Sequence, residues 1–99
     1  MSTVAKVARR PTLWRWEDDG ERRYIIFVNR HKELVLLNPV ASLIFSYCDG
    51  TKTLQDIVNL LSLKYKKVPK EVLTVDVKKF TDHMLENGVF ELKVERSPL

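Results

Sequence analysis

Leu37-Asn38-Pro39 marks the point in this 99-residue chain where predicted strands give way to predicted helices. Asn38 fits a helix N-cap, and Pro39 fits the first helical position, where its missing N–H costs no hydrogen bond. Further on, Cys48-Asp49-Gly50-Thr51-Lys52-Thr53 has the composition of a turn between two helices. Gly50 supplies a residue that tolerates the left-handed conformation and so ends the first helix. The two stretches together predict a strand-then-helix order.

Three strands are predicted ahead of this point. Leu13-Trp14-Arg15-Trp16-Glu17 alternates from Trp14 onward, and an Asp-Gly turn follows it. Tyr24-Ile25-Ile26-Phe27-Val28 is aromatic and β-branched throughout, and Glu33-Leu34-Val35-Leu36-Leu37 is a third short apolar run. Because the connecting loops are short, the three strands are expected to pair in sequence order as an antiparallel meander.

Three helices are predicted after it. Thr53, with Asp56 three residues on, predicts the N-terminus of the second helix. Val68-Pro69 opens the third helix and Asn87-Gly88 ends it, after which Val89-Phe90-Glu91-Leu92 has the pattern of a short terminal strand. Strands followed by helices predict an α+β fold with the helices packed on one face of the sheet. We expect residues 1–12 to form a flexible N-terminal segment, residues 13–93 a single domain, and residues 94–99 a frayed tail.

Two features of the predicted sheet leave surface that another segment of the chain or a partner protein could cover. The second and third strands are apolar at nearly every position, whereas a sheet with one helical layer should have a polar outer face. Residues 1–12, the 89–92 segment or a partner protein could cover that face. The third strand is also an edge with unpaired N–H and C=O groups, which a folded protein either protects or uses.

Composition limits the class of protein. The net charge is +4, and the excess lies in residues 1–38, which hold eight Lys/Arg against five Asp/Glu. Such an excess attracts nucleic acid or an acidic partner, or is simply part of a solvated surface of mixed sign. No apolar run is long enough to span a bilayer and no signal peptide is visible. Cys48 is the only cysteine, which excludes an internal disulfide and fits the reducing cytoplasm.

No catalytic constellation stands out in the sequence. His31 and His83 have no cysteine or carboxylate at metal-ligand spacing, and Asp49 reads as a turn former before a glycine. Cys48 lies on the apolar stripe of the first helix, which predicts a buried, inert thiol. Only three glycines occur and none are clustered, so a phosphate-binding loop is excluded. We therefore expect a protein that is not an enzyme and that holds no metal or other cofactor.

A winged-helix nucleic-acid-binding protein is the alternative. Three helices and a small sheet could support it, and the chain is basic. A recognition helix normally carries Arg and Lys toward phosphates and base edges. The third helix instead carries more acidic than basic residues, namely Glu71, Asp76, Lys78, Lys79, Asp82 and Glu86.

Residues 24–92 resemble the PqqD-like family, the leader-recognition elements of pathways that make ribosomally synthesised, post-translationally modified peptides (RiPPs). The family's marks occur here in order and cover about 70 of the 99 residues. They are Leu37-Asn38, Ala41, Ile44, Cys48-Asp49-Gly50-Thr51, Ile57, Tyr65, Asp76-Val77 and Gly88-Val89. The N-terminal 23 residues match only loosely, and Trp14 and Trp16 have no counterpart that we can assign.

The resemblance implies a non-catalytic, winged-helix-like domain with a three-stranded antiparallel sheet followed by three helices. Family members bind the leader of a precursor peptide in extended form, as a strand added to the edge of the third strand. The leader's apolar side chains enter the groove between that strand and the third helix. The modifying enzyme, in many cases a radical SAM protein, is a separate chain or a fused one in the family. Here a separate radical SAM enzyme is the expected partner, and a lasso-peptide protease is the less favoured one. A homodimer is also compatible with the apolar strands.

The residues themselves support the same geometry, because an apolar edge strand beside an amphipathic helix is typical of β-strand addition. If Val35 and Leu37 point toward the helices, Leu34 and Leu36 point to the other face. Asp76 and Lys79 could select complementary charges on the leader. The predicted peptide-binding residues are Glu33, Leu34, Val35, Leu36, Leu37, Val72, Val75, Asp76, Lys79, Phe80 and His83.

Overall fold

The structure is a computed structural model that describes residues 3–96. It contains six strands and three helices in an α+β arrangement. In chain order these are β1 (Thr3–Arg9), β2 (Trp14–Asp18), β3 (Arg23–Val28), β4 (Leu34–Leu36), α1 (Pro39–Tyr47), β5 (Asp49–Lys52), α2 (Leu54–Lys64), α3 (Lys70–Glu86) and β6 (Phe90–Arg96).

The strands form two antiparallel sheets. The meander sheet has the order β2-β3-β4, with Trp16 opposite Ile25 and Phe27 opposite Val35. The second sheet has the order β5-β1-β6, with Val7 opposite Leu92. The predicted meander and the three helices after it are therefore confirmed, but the prediction of a single sheet is wrong.

Two strands of the second sheet, β1 and β5, arise where the sequence predicted irregular structure, whereas β6 includes most of the predicted terminal strand. Thr3–Arg9, within the segment expected to be flexible, forms β1 and pairs with β6 over its whole length. Asp49–Lys52, predicted as a turn, forms β5 against β1. β6 continues to Arg96 and so includes residues 94–96 of the segment expected to fray, while residues 1–2 and 97–99 lie outside the described residues. These strands join the two ends of the chain, and such distant pairing leaves little trace in a local pattern.

The N-termini of α1 and α2 match their predicted signals, but the prediction that Gly50 ends the first helix is wrong, because α1 ends at Tyr47 with Cys48 as its C-cap and Gly50 lies in β5. The Asn38 side-chain oxygen accepts a hydrogen bond from the Ala41 N–H at 2.8 Å, and Pro39 is the first helical residue. At α2, the Thr53 hydroxyl accepts from the Asp56 N–H at 3.2 Å. The Asp56 carboxylate in turn accepts from the Thr53 N–H at 3.0 Å, which completes a capping box.

One hydrophobic core joins both sheets to the helices. Phe45 of α1 is fully buried at its centre. Its ring lies 5.2 Å from the Phe27 ring, 5.5 Å from the Trp14 ring and 5.7 Å from the Phe90 ring, centre to centre. Val7 of β1 is also fully buried in this core. Phe45 thus connects the meander sheet to the strand that follows α3.

Buried Ser42 fixes α1 against the meander sheet. Its hydroxyl accepts a hydrogen bond from the Ile25 N–H at 2.7 Å and donates to the Leu37 carbonyl at 3.3 Å. A buried hydroxyl is tolerated when its hydrogen bonds are made. The contact holds the start of α1 beside the end of β4, and so sets the position of β4 relative to the helices.

Candidate functional site

β4 is an edge of the meander sheet, and no other strand of residues 3–96 pairs with its outer side. The Leu37 N–H donates to the Ile25 carbonyl at 2.9 Å, and the Asn29 N–H donates to the Glu33 carbonyl at 2.9 Å. In an antiparallel pair, alternate residues direct their backbone groups to the same neighbour. Leu34 and Leu36 therefore direct their N–H and C=O groups away from β3, where a further strand could bind them.

The side chains of β4 alternate as predicted. Leu34 is 69% exposed and Leu36 is 60% exposed, on the face of the sheet that points away from the core. Val35 is half-buried against the core, and Leu37 is a buried core residue. Of the five residues predicted in and beside this strand, Glu33, Leu34 and Leu36 are exposed. The side chain of Leu37 is buried and cannot contact a bound peptide.

α3 presents a buried side and a polar flank. Leu73, Val77 and Met84 are buried, together with Thr81, whose hydroxyl has no hydrogen-bond partner within the described residues. Phe80 is half-buried, with its ring 5.9 Å from the Phe90 ring. The remaining predicted residues of α3 are exposed, and they are Val72, Val75, Asp76, Lys79 and His83.

A small cavity of about 130 Å³ opens between β4 and the C-terminal half of α3. Its lining brings together two predicted residues, Val35 and His83. It also includes residues that were not among the predicted peptide-binding residues, namely Phe27, Arg30, His31, Met84, Asn87 and Val89. The Asn87 side-chain amide lies 3.4 Å from Nδ1 of His83 and donates to the His83 carbonyl at 2.7 Å. Because a helix rises 1.5 Å per residue, Val72 lies about 16 Å from His83 along the axis and belongs to the other end of the groove.

The outer face of the meander sheet carries a second, larger depression, which the sequence did not identify as a site. It has a volume of about 500 Å³. Leu13 is 77% exposed beside it, and Ile26, Val28 and Leu34 contribute further apolar surface. Neither β1 nor β6 pairs with the meander sheet, so the described strands do not extend it.

The basic residues of the N-terminal third are largely engaged within the protein. Arg9 donates to the carbonyls of Phe45 and Ser46 at 2.7 and 3.0 Å, and it lies over the Trp14 ring at 4.8 Å. Arg23 stacks on the Trp16 ring at 4.4 Å. Further ion pairs join Arg10 to Glu91, Arg15 to Glu17 and Arg22 to Asp19. The two tryptophans therefore lie half-buried on the core side of β2, each against an arginine.

The Cys48-Asp49-Gly50-Thr51 motif has a structural role. Burial acts to raise the pKa of Asp49, but hydrogen bonds from Thr51 and Lys52 outweigh it and lower that pKa to about 2. Lys52 Nζ lies 3.0 Å from the Asp49 carboxylate. Gly50 has φ +88°, and an added Cβ would lie 3.4 Å from the Ala8 side chain, so glycine lets β5 approach β1. The motif therefore shapes the β5 strand that pairs with β1.

Cys48 is buried, as the sequence predicted. Burial raises the pKa of the Cys48 thiol from 9.0 to about 12, an effect that the nearby Arg9 only partly offsets.

Among the described residues no group of three or more His, Cys, Asp or Glu side chains could hold a metal ion. In the same part of the chain, every helix is too short or too polar to cross a bilayer.

We expect the Cys48 thiol of the folded protein to react far more slowly with a disulfide reagent near pH 8 than the thiol of the unfolded chain. Because the thiol keeps its proton in the folded state up to about pH 12, stability falls as pH rises above 9.0. The slope is at most about 1.4 kcal/mol per pH unit for this one group. Urea unfolding of the wild type and of Cys48→Ala at rising pH measures it. Equal slopes for the two proteins, or rapid labelling of the folded protein, would contradict the assignment.

With this geometry established, comparison with known proteins identifies the family. The family model described as coenzyme PQQ synthesis protein D (PqqD) matches residues 23–89, which is well over half of the chain. The chain belongs to the PqqD family. Searches of curated proteins and of solved structures found no match.

Membership of the PqqD family, whose members are RiPP recognition elements, confirms the resemblance drawn from the sequence. The matched span runs from the start of β3 to the end of α3 and includes β4, the candidate edge. PqqD proteins are accessory components of peptide-derived natural product biosynthesis. β1, β2 and β6 lie outside the matched span, and the two tryptophans of β2 are therefore features of this chain that the family model does not cover.

Proposed function

We propose that this PqqD-family protein captures the leader of a ribosomal precursor peptide by β-strand addition and delivers it to a separate modifying enzyme of the radical SAM class. The observation that carries the proposal is the free edge of β4, with its outward backbone groups at Leu34 and Leu36, beside the exposed flank of α3. In this proposal the protein itself performs no chemistry, holds no cofactor and acts in the cytoplasm, in keeping with its single buried thiol.

The backbone of β4 would supply the affinity. An extended leader strand would exchange hydrogen bonds with the N–H and C=O groups of Leu34 and Leu36, as in other cases of β-strand addition. Since β4 has three residues, the paired part of the leader would be short, and side-chain contacts would have to fix its register.

The two faces of the added strand would meet different surfaces. Alternate leader residues would point toward α3. There they would contact the half-buried side chains of Val35 on β4 and Phe80 on α3, and the polar side chain of His83 on α3. The residues between them would lie beside the exposed side chains of Leu34 and Leu36. An apolar leader residue would fit the small cavity at Val35, because the Phe27 and Met84 side chains also line it.

Charges on α3 would select the leader's polar residues. Asp76 and Lys79 are exposed on the flank that continues from the cavity toward the helix N-terminus, with Val72 at 47% exposure and Val75 at 51% exposure beside them. Charged residues at the rim of a binding site contribute more to specificity and encounter than to affinity. A leader with a basic residue opposite Asp76 and an acidic residue opposite Lys79 would fit.

A winged-helix-like arrangement belongs to this proposal, since the strands of the meander sheet are followed by three helices in the predicted order. The nucleic-acid alternative gains little support. Arg9 and Arg23 stack on tryptophans, and Arg15 and Arg22 pair with acidic neighbours. The exposed surface of α3 also mixes Asp76 and Asp82 with its lysines, where a groove-binding helix would need a basic surface.

We expect Lys79→Glu to weaken leader binding about tenfold, because the change places a like charge against an acidic leader residue. The precursor's N-terminal half, taken as a synthetic peptide from a short reading frame beside the coding gene, is titrated into the protein by calorimetry. Lys78→Glu is the matched control: it makes the same change of net charge one residue away, at an exposed lysine that pairs with Asp82.

The control separates a local contact from general electrostatics. A tenfold loss with Lys79→Glu and a loss below about twofold with Lys78→Glu supports leader recognition along the flank of α3. Equal losses for both variants would mean that the leader senses only net charge. Unchanged affinity for both would remove Lys79 from the site.

A further inference from the structure

β2 is the other edge of the meander sheet, and it lies outside the part of the chain that the PqqD family model matches. It pairs with β3 through Trp14–Phe27, Arg15–Ile26, Trp16–Ile25, Glu17–Tyr24 and Asp18–Arg23. On its other side, the described residues provide no strand. The edge of β2 therefore presents unpaired backbone groups, which a folded protein either protects or uses.

The hydrogen bonds at the ends of β2 fix which groups point outward. The Val28 N–H donates to the Leu13 carbonyl at 3.0 Å, and the Asp19 N–H donates to the Arg22 carbonyl at 3.2 Å. Because alternate residues of an antiparallel strand bond to the same neighbour, the odd-numbered residues of this stretch bond to β3. Trp14, Trp16 and Asp18 therefore direct their N–H and C=O groups outward, away from the sheet.

Along β2, the charged residues Arg15 and Glu17 alternate with the residues whose backbone groups point outward. Arg15 and Glu17 lie on the outer face of the sheet, with the Arg15 Nε 2.6 Å from the Glu17 carboxylate. The side chain of Arg15 is 73% exposed. Two residues of opposite charge, one on each side of Trp16, make this edge complementary to a second copy of itself when the copy is turned by a two-fold axis.

We propose that two copies of this protein pair antiparallel along β2, about a two-fold axis through Trp16. The backbone of Trp16 then exchanges two hydrogen bonds with Trp16 of the partner subunit, and Trp14 pairs with Asp18 of the partner subunit. On the outer face, Arg15 of each protomer lies opposite Glu17 of its partner. The two meander sheets become one six-stranded sheet with isologous contacts.

The charges select this register over its neighbours. Among antiparallel registers that keep the same backbone groups outward, centring the axis on Arg15 places two arginines opposite each other. Centring it on Glu17 places two glutamates opposite each other. Like charges directly opposite across strands are destabilising and opposite charges are stabilising. Of these three registers, only the one centred on Trp16 satisfies both charged positions.

This dimer leaves the proposed leader site free. β4 lies at the opposite edge of the meander sheet from β2, so the joined sheet would expose one β4 edge at each end. The dimer therefore stands or fails independently of leader binding, and each can be measured without the other.

The test is a charge-swap series on the full chain, followed by sedimentation over a wide range of protein concentrations. The wild type is expected to dimerise. Arg15→Glu alone and Glu17→Arg alone should each weaken dimerisation at least about tenfold, since each change creates two like-charge pairs across the axis. The double variant Arg15→Glu/Glu17→Arg should recover the dimer. An equimolar mixture of the two single variants should form a heterodimer, because each charge then faces its opposite.

Recovery in the double variant distinguishes lost pairing from lost folding. A wild type that stays monomeric at every concentration overturns the proposal. So does a dimer that survives either single change, because its contact would lie elsewhere. Leader titration of the single variants, monitored by calorimetry, should give the wild-type affinity, and circular dichroism should give the wild-type fold.

Discussion

Leu36→Pro is expected to reduce leader binding at least tenfold while the protein stays folded. The Leu36 N–H points away from β3, so proline removes no hydrogen bond of the meander sheet. It does remove one outward donor of the proposed site, worth about 1 kcal/mol, and its ring occupies the space of an added strand. Proline is tolerated on edge strands for the same reason. Calorimetric titration with the synthetic leader measures the loss.

Leu36→Ala is the companion variant, since it keeps the N–H and shortens the side chain. We expect it to weaken binding only a few-fold, through lost apolar contact. A larger loss with alanine than with proline would mean that the Leu36 side chain, and not the backbone edge, holds the leader. Matching circular dichroism spectra of the wild type and both variants would show that folding is intact.

Phe45→Ala is expected to lower the free energy of unfolding by about 3–5 kcal/mol. Phe45 is fully buried, and three rings surround it, those of Trp14, Phe27 and Phe90. Truncation removes apolar contacts and leaves a cavity between the meander sheet and the strand that follows α3. Because the free energy of unfolding of a small domain is itself only several kcal/mol, the variant would be largely unfolded at physiological temperature.

Urea unfolding, followed by tryptophan fluorescence, measures this loss. Leu63→Ala is the control, because Leu63 is 68% exposed on α2 and should change stability by no more than about 0.5 kcal/mol. A loss below about 1 kcal/mol for Phe45→Ala would place the core elsewhere.

The parts of the fold that were predictable from the sequence depend on neighbouring residues. The N-cap at Asn38, the capping box at Thr53 and the strand-turn-strand order around the Asp-Gly turn are each fixed within a few residues. β1 and β5 were not predictable, because they form only when distant segments pair. Thr3–Arg9 has no turn signal or strict alternation of its own, and its partner β6 lies at the other end of the chain.

In the candidate site too, the features set by neighbouring residues were predictable from the sequence, and those set by distant contacts were not. Alternation along β4 gave the exposure of Leu34 and Leu36 and the burial of Leu37 correctly. The sequence pattern of α3 predicted Val72, Val75 and Lys79 as peptide-binding residues, and these side chains are exposed. It did not indicate that Asn87, Met84 and Arg30 join His83 around the small cavity, since that depends on how closely α3 approaches β4. The outer face was visible in the sequence as a run of apolar residues with no predicted cover, but no pattern specified what lies against it.

Backbone amide chemical shifts of the ¹⁵N-labelled protein, recorded during titration with the synthetic leader, test the central claim most directly. We predict the largest shifts at Leu34 and Leu36, with smaller ones at Asp76, Lys79 and His83. The amides of Leu34 and Leu36 should also become protected from hydrogen exchange as they enter a new ladder. Shifts confined to β2 or to the outer face around Leu13, or no shifts at saturating leader, would contradict leader capture at the β4 edge.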